Sequence, residues 1–127
     1  MKRLLLGLML LAATAASAEW TDVGGNDQFI QYVDRDTIRR NGNFVKMWDL
    51  VDFNSVQTSS GGKSYLSSKT QLQYDCKEER SQMLAFLWFD GKMGNGKVVV
   101  SGSDPDKWSP ISPRSASEAL WKIACGK

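Results

Sequence analysis

The sequence predicts an α+β fold in which an antiparallel β-sheet meander of about five to six strands precedes one C-terminal α-helix. Short runs of aromatic and β-branched residues recur between glycine- and asparagine-rich turns, as in strands joined by hairpins. In residues 66–76 every apolar side chain falls on one face of an extended chain and the other face is entirely polar, which indicates a strand with one exposed face. Residues 116–125 instead repeat apolar side chains at helical spacing.

The N-terminal segment has the features of a secretory signal peptide. Lys2 and Arg3 precede an apolar run over residues 4–11, and Ala16-Ser17-Ala18 is a typical cleavage site. The apolar run is too short to span a bilayer as a stable anchor. We therefore predict a signal peptide over residues 1–18 and a single exported domain over residues 19–127, located in the periplasm or secreted.

Two strands are expected at the start of this domain. Residues 28–33 follow a glycine-rich turn and are mostly aromatic or β-branched. The charged residues 34–40 are expected to interrupt this strand, and Asn41-Gly42-Asn43 predicts a tight turn. Residues 44–53 predict a second strand with both faces partly covered, because apolar side chains occupy both faces.

A polar loop over residues 57–63 should precede the most regular strand of the chain. Within residues 66–76 the alternation predicts an inner face that ends at Cys76. The alternate side chains should form a polar outer face that contacts solvent; they are Ser67, Lys69, Gln71, Gln73 and Asp75.

The next segment predicts a strand followed by a hairpin. Residues 83–89 are continuously apolar, which favours a short strand buried on both faces. Gly94-Asn95-Gly96 predicts a tight turn into a strand over residues 97–100. Residues 91–97 also match the spacing of a phosphate-binding loop, but Val98 replaces the required hydroxyl and a strand follows instead of a helix. The hairpin interpretation is therefore favoured.

The C-terminal helix has a start and a stop signal. Ser115 and Glu118 have the spacing of a capping box, and Gly126 is a plausible C-terminal stop. A helix of about three turns is too short to persist alone in water, so it must dock on the sheet. Cys76 and Cys125 are the two cysteines of the chain. In an oxidising compartment they should form a disulfide that fastens the helix to the sheet.

The composition disfavours most enzyme chemistry. The chain has no histidine, and paired cysteines offer no thiolate, so we predict no catalytic residue, no cofactor and no metal site. The pairs Asp34/Asp36 and Asp104/Asp106 are interpreted as surface turns, although hydrolysis by carboxylates alone stays open. The 16 basic residues include Lys2 and Arg3, so the remaining 14 equal the 14 acidic residues, and bulk charge predicts no nucleic-acid partner.

The five tryptophans divide into two groups. Trp48, Trp88 and Trp121 lie inside periodic segments and are expected in the core. Trp20 and Trp108 could cover the edge of the core or belong to a binding surface.

The candidate contacts with a protein partner lie on and around the alternating strand: Lys63, Tyr65, Lys69 and Lys77. The hypothesis is that a polar sheet face or an exposed edge strand binds another macromolecule, by strand addition or by lysine contacts. A solvated surface is the alternative meaning of these lysines.

In the order and spacing of its motifs the chain resembles the surface-adhesin protein E family of proteobacteria. The motifs are Tyr32-Val33-Asp34 followed by Ile38, Val45-Lys46-Met47-Trp48, Lys63-Ser64-Tyr65, Tyr74-Asp75-Cys76, Met93-Gly94-Asn95-Gly96, and Pro113-Arg114-Ser115 before the helix that carries Cys125.

The resemblance implies an antiparallel sheet with a C-terminal helix tied to it by a Cys76–Cys125 bond. It also implies adhesion to host matrix or plasma proteins such as vitronectin, laminin and plasminogen, through a segment from about Lys63 to the Cys76 strand. This chain has Ser64 where the family's basic pair has arginine. No cysteine precedes Cys76, so no lipid anchor is expected. A periplasmic envelope-stress or enzyme-inhibitor protein is the alternative, and the oligomeric state stays open, a homodimer included.

Overall fold

The computed structural model describes residues 19–127, and the predicted signal peptide lies outside them. The strands are β1 (Thr21–Gly25), β2 (Phe29–Asn41), β3 (Phe44–Thr58), β4 (Ser64–Asp75), β5 (Arg80–Phe89), β6 (Val98–Gly102) and β7 (Ser109–Pro110). A single 3₁₀ turn spans Lys92–Gly94, and the helix α1 spans Ala116–Cys125.

The strands form one sheet in the order β1-β2-β3-β4-β5-β6, and every neighbouring pair is antiparallel. The short β7 pairs with β5 beyond the end of β6. The predicted antiparallel meander with a C-terminal helix is therefore confirmed. The strands β1 and β7 were not predicted. β1 is short and glycine-rich and β7 contains a proline, and both features are unfavourable for strands.

The prediction that residues 34–40 interrupt the strand that begins near residue 28 is wrong. β2 continues to Asn41, and its register against β3 shifts between Asp34 and Arg39. At this bulge the Thr37 hydroxyl donates a hydrogen bond to the carbonyl of Asp34 (2.6 Å) and accepts one from the Trp48 amide (2.9 Å). The Thr37 hydroxyl thus accepts the backbone hydrogen bond that a carbonyl of β2 would otherwise accept from β3. The strand therefore continues through the bulge, although its residues there are charged.

One face of the sheet carries α1 and is called the helix-bearing face. The core between helix and sheet is formed by Val33, Val45, Met47, Tyr74, Leu120, Trp121, Ala124 and Cys125. The Trp121 indole donates a hydrogen bond to the carbonyl of Asp75 (2.8 Å), so its predicted place in the core is confirmed. Trp48 and Trp88 are only half-buried, and their expected burial in the core is wrong because α1 does not cover them.

Both ends of α1 are capped as predicted. The Ser115 hydroxyl accepts a hydrogen bond from the Glu118 amide (3.2 Å). Gly126 follows the helix with a left-handed φ of 71°, a conformation that favours glycine. Cys76 and Cys125 form the predicted disulfide, with their Cα atoms 5.6 Å apart. This bond ties the C-terminal end of α1 to the end of β4.

The opposite, loop-bearing face is covered by the connection between β5 and β6. This connection is larger than the predicted hairpin, because residues 91–96 fold back over the sheet. The Met93 amide donates to Asp52 (2.7 Å) and the Gly94 amide donates to the Ser67 hydroxyl (2.8 Å). The strand β6 follows this loop, which agrees with the rejection of a phosphate-binding loop.

Two burial predictions for the central strands are wrong. The outer face of β4 does not lie fully in solvent, since Ser67 is completely buried beneath the loop and Asp75 is buried near the β4–β5 turn. β5 is not buried on both faces, because its side chains are half-buried except for Phe89. Within residues 19–127, no helix has the length and apolar character needed to cross a bilayer.

Candidate functional site

Five aromatic side chains form a continuous row on the helix-bearing face, beyond the area that α1 covers. We call this row the aromatic ledge, and it consists of Phe29, Phe53, Tyr65, Phe86 and Trp88. The Tyr65 and Trp88 rings are stacked with centroids 4.4 Å apart. The other contacts are tilted or edge-on, with centroids 5.4 to 6.2 Å apart.

The ledge is assembled by register across four strands. Phe29 and Phe53 are direct cross-strand partners in β2 and β3. Phe86 and Trp88 alternate along β5 and so share one face. Gly102 of β6 lies opposite Phe86, and a Cβ atom there would come within 2.5 Å of the Phe86 ring. Glycine at this position therefore lets the ring lie over the neighbouring strand.

All five ledge side chains are half-buried, and none belongs to the core beneath α1. Ala116 and Ala119 of α1 face Phe29 across a cavity of about 200 Å³ at the border of the covered area. A contiguous aromatic surface that is still open to solvent is typical of a protein-interaction site, because such side chains bury much area with few rotatable bonds.

The sequence-predicted contact residues do not form one cluster. Tyr65 lies in the middle of the ledge, and Lys63 is exposed two residues before it, at the β3–β4 turn. Lys69 is on the loop-bearing face, where its ammonium group lies 5.7 Å from the Trp20 ring and 5.1 Å from the Phe89 ring. Lys77 is exposed in the β4–β5 turn, at the other end of the strand.

Trp108 has a local packing partner on either side. Its ring lies 5.6 Å from Phe44 and 4.4 Å from the Arg80 guanidinium, which also contacts the Asp75 carboxylate at 3.0 Å. Trp108 and Arg80 line an open surface groove of about 500 Å³ with Pro110. Trp108 therefore borders a surface groove, whereas the Trp20 ring lies beside the Lys69 ammonium group.

Two buried acidic groups have opposite environments. Burial raises the pKa of Asp49 to about 7, and the Asp49 side chain makes no hydrogen bond or ion pair with another residue of 19–127. Burial also acts to raise the pKa of Asp75, but hydrogen bonds from the Glu78 and Lys77 amides and from Arg80 lower it overall. Asp75 is thus held ionised, whereas the Asp49 carboxyl keeps its proton to a higher pH than an ordinary aspartate does.

The described residues show no cluster of three or more acidic or thiol side chains that could hold a metal ion. Asp52, the other buried acid near the loop, is paired with Lys92 at 3.1 Å. Sequence reasoning missed the ledge as a unit and the isolation of Asp49. The alternation of aromatic residues at 86 and 88 was the available signal for the ledge.

The sequence profile of the surface-adhesin protein E family matches residues 20–126. The chain belongs to the surface-adhesin protein E family. This match confirms the resemblance found in the motifs and makes the chain a surface-adhesin-like binding module from a family of exported, surface-associated proteins.

Solved structures of protein E from Haemophilus influenzae have the same fold as this family member. A second crystal form has a TM-score of 0.64 at 12% identity, and the match covers 87% of this chain and 97% of that chain. Another structure has a TM-score of 0.62 at 12% identity and covers 84% and 93%. Protein E from the non-typeable organism has a TM-score of 0.62 at 12% identity and covers 89% and 79%. No match was found among curated proteins.

Proposed function

We propose that this chain is an exported, non-catalytic module that binds a host extracellular-matrix or plasma protein through the aromatic ledge. The aromatic ledge itself carries the proposal, since it joins a stacked Tyr65–Trp88 pair to three phenylalanine rings on an open sheet face. Family membership supports the adhesive role.

The chemistry of the ledge suits apolar recognition with a polar rim. Tyrosine and tryptophan are enriched among the residues that dominate binding energy, and they act best at the centre of a patch that excludes water. Lys63, exposed beside the ledge, would lie at the rim of such an interface. A rim charge contributes to the association rate and to orientation more than to affinity.

We propose that Lys69 and Lys77, the other predicted contact residues, contribute less to binding than the ledge and Lys63, and that their effects can be measured separately. Lys77 is exposed and available, but it lies at the far end of β4. Lys69 already contacts two aromatic rings on the opposite face, so part of its surface is occupied. We expect reversal of Lys63 to weaken binding more than reversal of Lys69 or Lys77.

The test uses residues 19–127 as purified, oxidised protein and measures binding to immobilised vitronectin, laminin and plasminogen by biolayer interferometry. Tyr65→Ala is expected to weaken binding about tenfold or more, which corresponds to roughly 1.4 kcal/mol. Phe44→Ala is the matched control, because Phe44 is an aromatic residue that is 38% exposed and contacts Trp108 instead of the ledge.

Lys63→Glu, Lys69→Glu and Lys77→Glu complete the set, with Lys107→Glu as an exposed control. Equal binding by the Tyr65→Ala and Phe44→Ala variants would remove the ledge from the proposal. If the unaltered protein bound none of the three host proteins but retained a partner from a periplasmic extract, the periplasmic alternative would replace host adhesion.

A further inference from the structure

We infer that Asp49 is a pH-sensitive element that loosens the junction between α1 and the sheet when its carboxyl group loses its proton. This inference concerns the stability of the domain, and it holds or fails independently of whether the ledge binds a partner.

The position of Asp49 is unusual for an acidic residue. It lies in the middle of β3 on the helix-bearing face, where its cross-strand neighbours are Val33 of β2 and Thr70 of β4. Along β3 it follows Met47 of the core and precedes Phe53 of the ledge on the same face. Asp49 is 3% exposed, so it marks the border between core and ledge with almost no access to water.

No described residue compensates the Asp49 carboxylate. The Asp49 side chain forms no hydrogen bond or salt bridge within 19–127, whereas its backbone pairs with both neighbouring strands. A buried carboxyl group without a protein partner is rare in native proteins. The nearby Tyr74 hydroxyl, also buried on this face, has no hydrogen-bond partner either. Tyr74 carries no charge at neutral pH, so it cannot neutralise an ionised Asp49.

The charged side chains of the elements around Asp49 contact other groups. On α1, Glu118 and Lys122 pair with each other at 3.3 Å. On β2, Arg40 donates a hydrogen bond to the carbonyl of Cys125 (3.2 Å) at the end of the helix. On β4, Tyr74 is the titratable group of the core, and Lys69 lies on the opposite face. An ionised Asp49 would therefore have no ion-pair partner among residues 19–127.

The titration behaviour agrees with this geometry. Burial raises the pKa of Asp49 to about 7, and burial together with the negative charge of Asp49 raises the pKa of Tyr74. In the unfolded chain Asp49 returns to its ordinary pKa of 3.8. The folded state thus binds the additional proton between these two values, so stability is greatest at acidic pH and falls as pH rises through about 7.

The experiment measures the unfolding equilibrium constant of the oxidised protein by urea titration from pH 5 to pH 8. For the unaltered protein we expect this constant to rise about a hundredfold across that range, on the basis of the proton linkage of one group. In Asp49→Asn, a neutral side chain of the same shape, the rise should shrink to less than about threefold. Asp52→Asn is the control, because Asp52 is a buried acid with an ion pair, and it should keep the steep dependence.

Two further measurements separate a switch at the junction from general destabilisation. Amide hydrogen exchange, corrected for the intrinsic effect of pH, should accelerate in α1 between pH 6 and pH 8 more than in the β3–β4 ladder. Carbon NMR of the Asp49 carboxyl in the unaltered protein keeps the test independent of any variant's folding. A titration midpoint near 4, or equal pH dependence of the unaltered protein and Asp49→Asn, would overturn the inference.

Discussion

Breaking the Cys76–Cys125 disulfide is expected to destabilise the domain strongly while leaving its sheet able to form. The two cysteines are 49 residues apart in sequence. In the chain-entropy description, closing a loop of that length removes roughly 14 cal/mol/K from the unfolded state, or about 4 kcal/mol at 25 °C. Domains of this size are stable by only about 5–15 kcal/mol. Reduction should therefore remove a large part of the total free energy of unfolding.

The structure also predicts which part loosens first. α1 has 10 residues, too few to persist in water without docking. Without the disulfide, the helix keeps the buried Leu120, the indole hydrogen bond of Trp121 to Asp75, and the Arg40 contact with the carbonyl of Cys125. A neutral hydrogen bond contributes about 1 kcal/mol and one with a charged donor roughly 1.5–3 kcal/mol. These contacts are also made in the oxidised protein, so they hold the helix weakly after reduction but do not replace the disulfide.

The assay compares urea unfolding of the oxidised protein, the same protein under reductant, and the double variant Cys76→Ala/Cys125→Ala. With a slope of about 1–2 kcal/mol per molar urea, the midpoint should fall by roughly 2–4 M. The reduced protein is the matched control, since its side chains differ from the oxidised form only at the sulfur bond. Two reactive thiols in denatured, unreduced protein, or equal midpoints with and without reductant, would refute this reasoning.

Three other predictions concern single positions. Ser115→Ala removes the acceptor for the first turn of α1 and should lower the free energy of unfolding by about 1 kcal/mol in urea titrations, whereas Ser115→Asp should restore it. Gly102→Ala should displace the Phe86 ring and lower stability by about 1 kcal/mol, and a crystal structure with an unmoved ring would contradict the contact. Because the folded-state pKa of Asp75 is lowered, its contribution to stability is present above the ordinary value of 3.8 and is lost as pH falls further. Asp75→Asn should reduce the loss of unfolding free energy at acidic pH. If that loss were unchanged in the variant, it would have to come from other carboxylates.

The features that were predictable from sequence are those fixed by local chemistry. The capping spacing of Ser115 and Glu118 defines the start of α1, because the hydroxyl can bond only an amide about three residues on. The turn at Asn41-Gly42-Asn43 separates β2 from β3 as expected. The disulfide followed from the export signal and the presence of two cysteines.

Features that depend on tertiary contacts were not predictable in the same way. The continuation of β2 through residues 35–38 depends on a hydrogen bond from the Trp48 amide, which lies on another strand. Ser67 looked like an outward-facing residue, but the loop over residues 91–96 covers it and uses its hydroxyl. Alternation over residues 66–75 gave the two faces correctly, yet it could not show that a later segment covers one of them or that Tyr65 joins the ledge on the other.

The candidate site was only partly predictable for the same reason. Tyr65 was singled out, but its four ledge partners are spread from β2 to β5, and tertiary packing of the rings brings them together. The burial of Asp49 was not predictable from sequence, because a single acidic residue in a strand usually points to solvent.

The length of β4 limits how a partner can engage this protein. Its 12 residues extend for about 40 Å, with Lys63 just before one end and Lys77 just beyond the other. A typical protein–protein contact buries about 800 Å² per partner, which is a footprint roughly 30 Å across. One compact epitope therefore cannot cover both termini of the strand. A ligand that senses both lysines must be elongated, or it must make two contacts whose effects on affinity multiply.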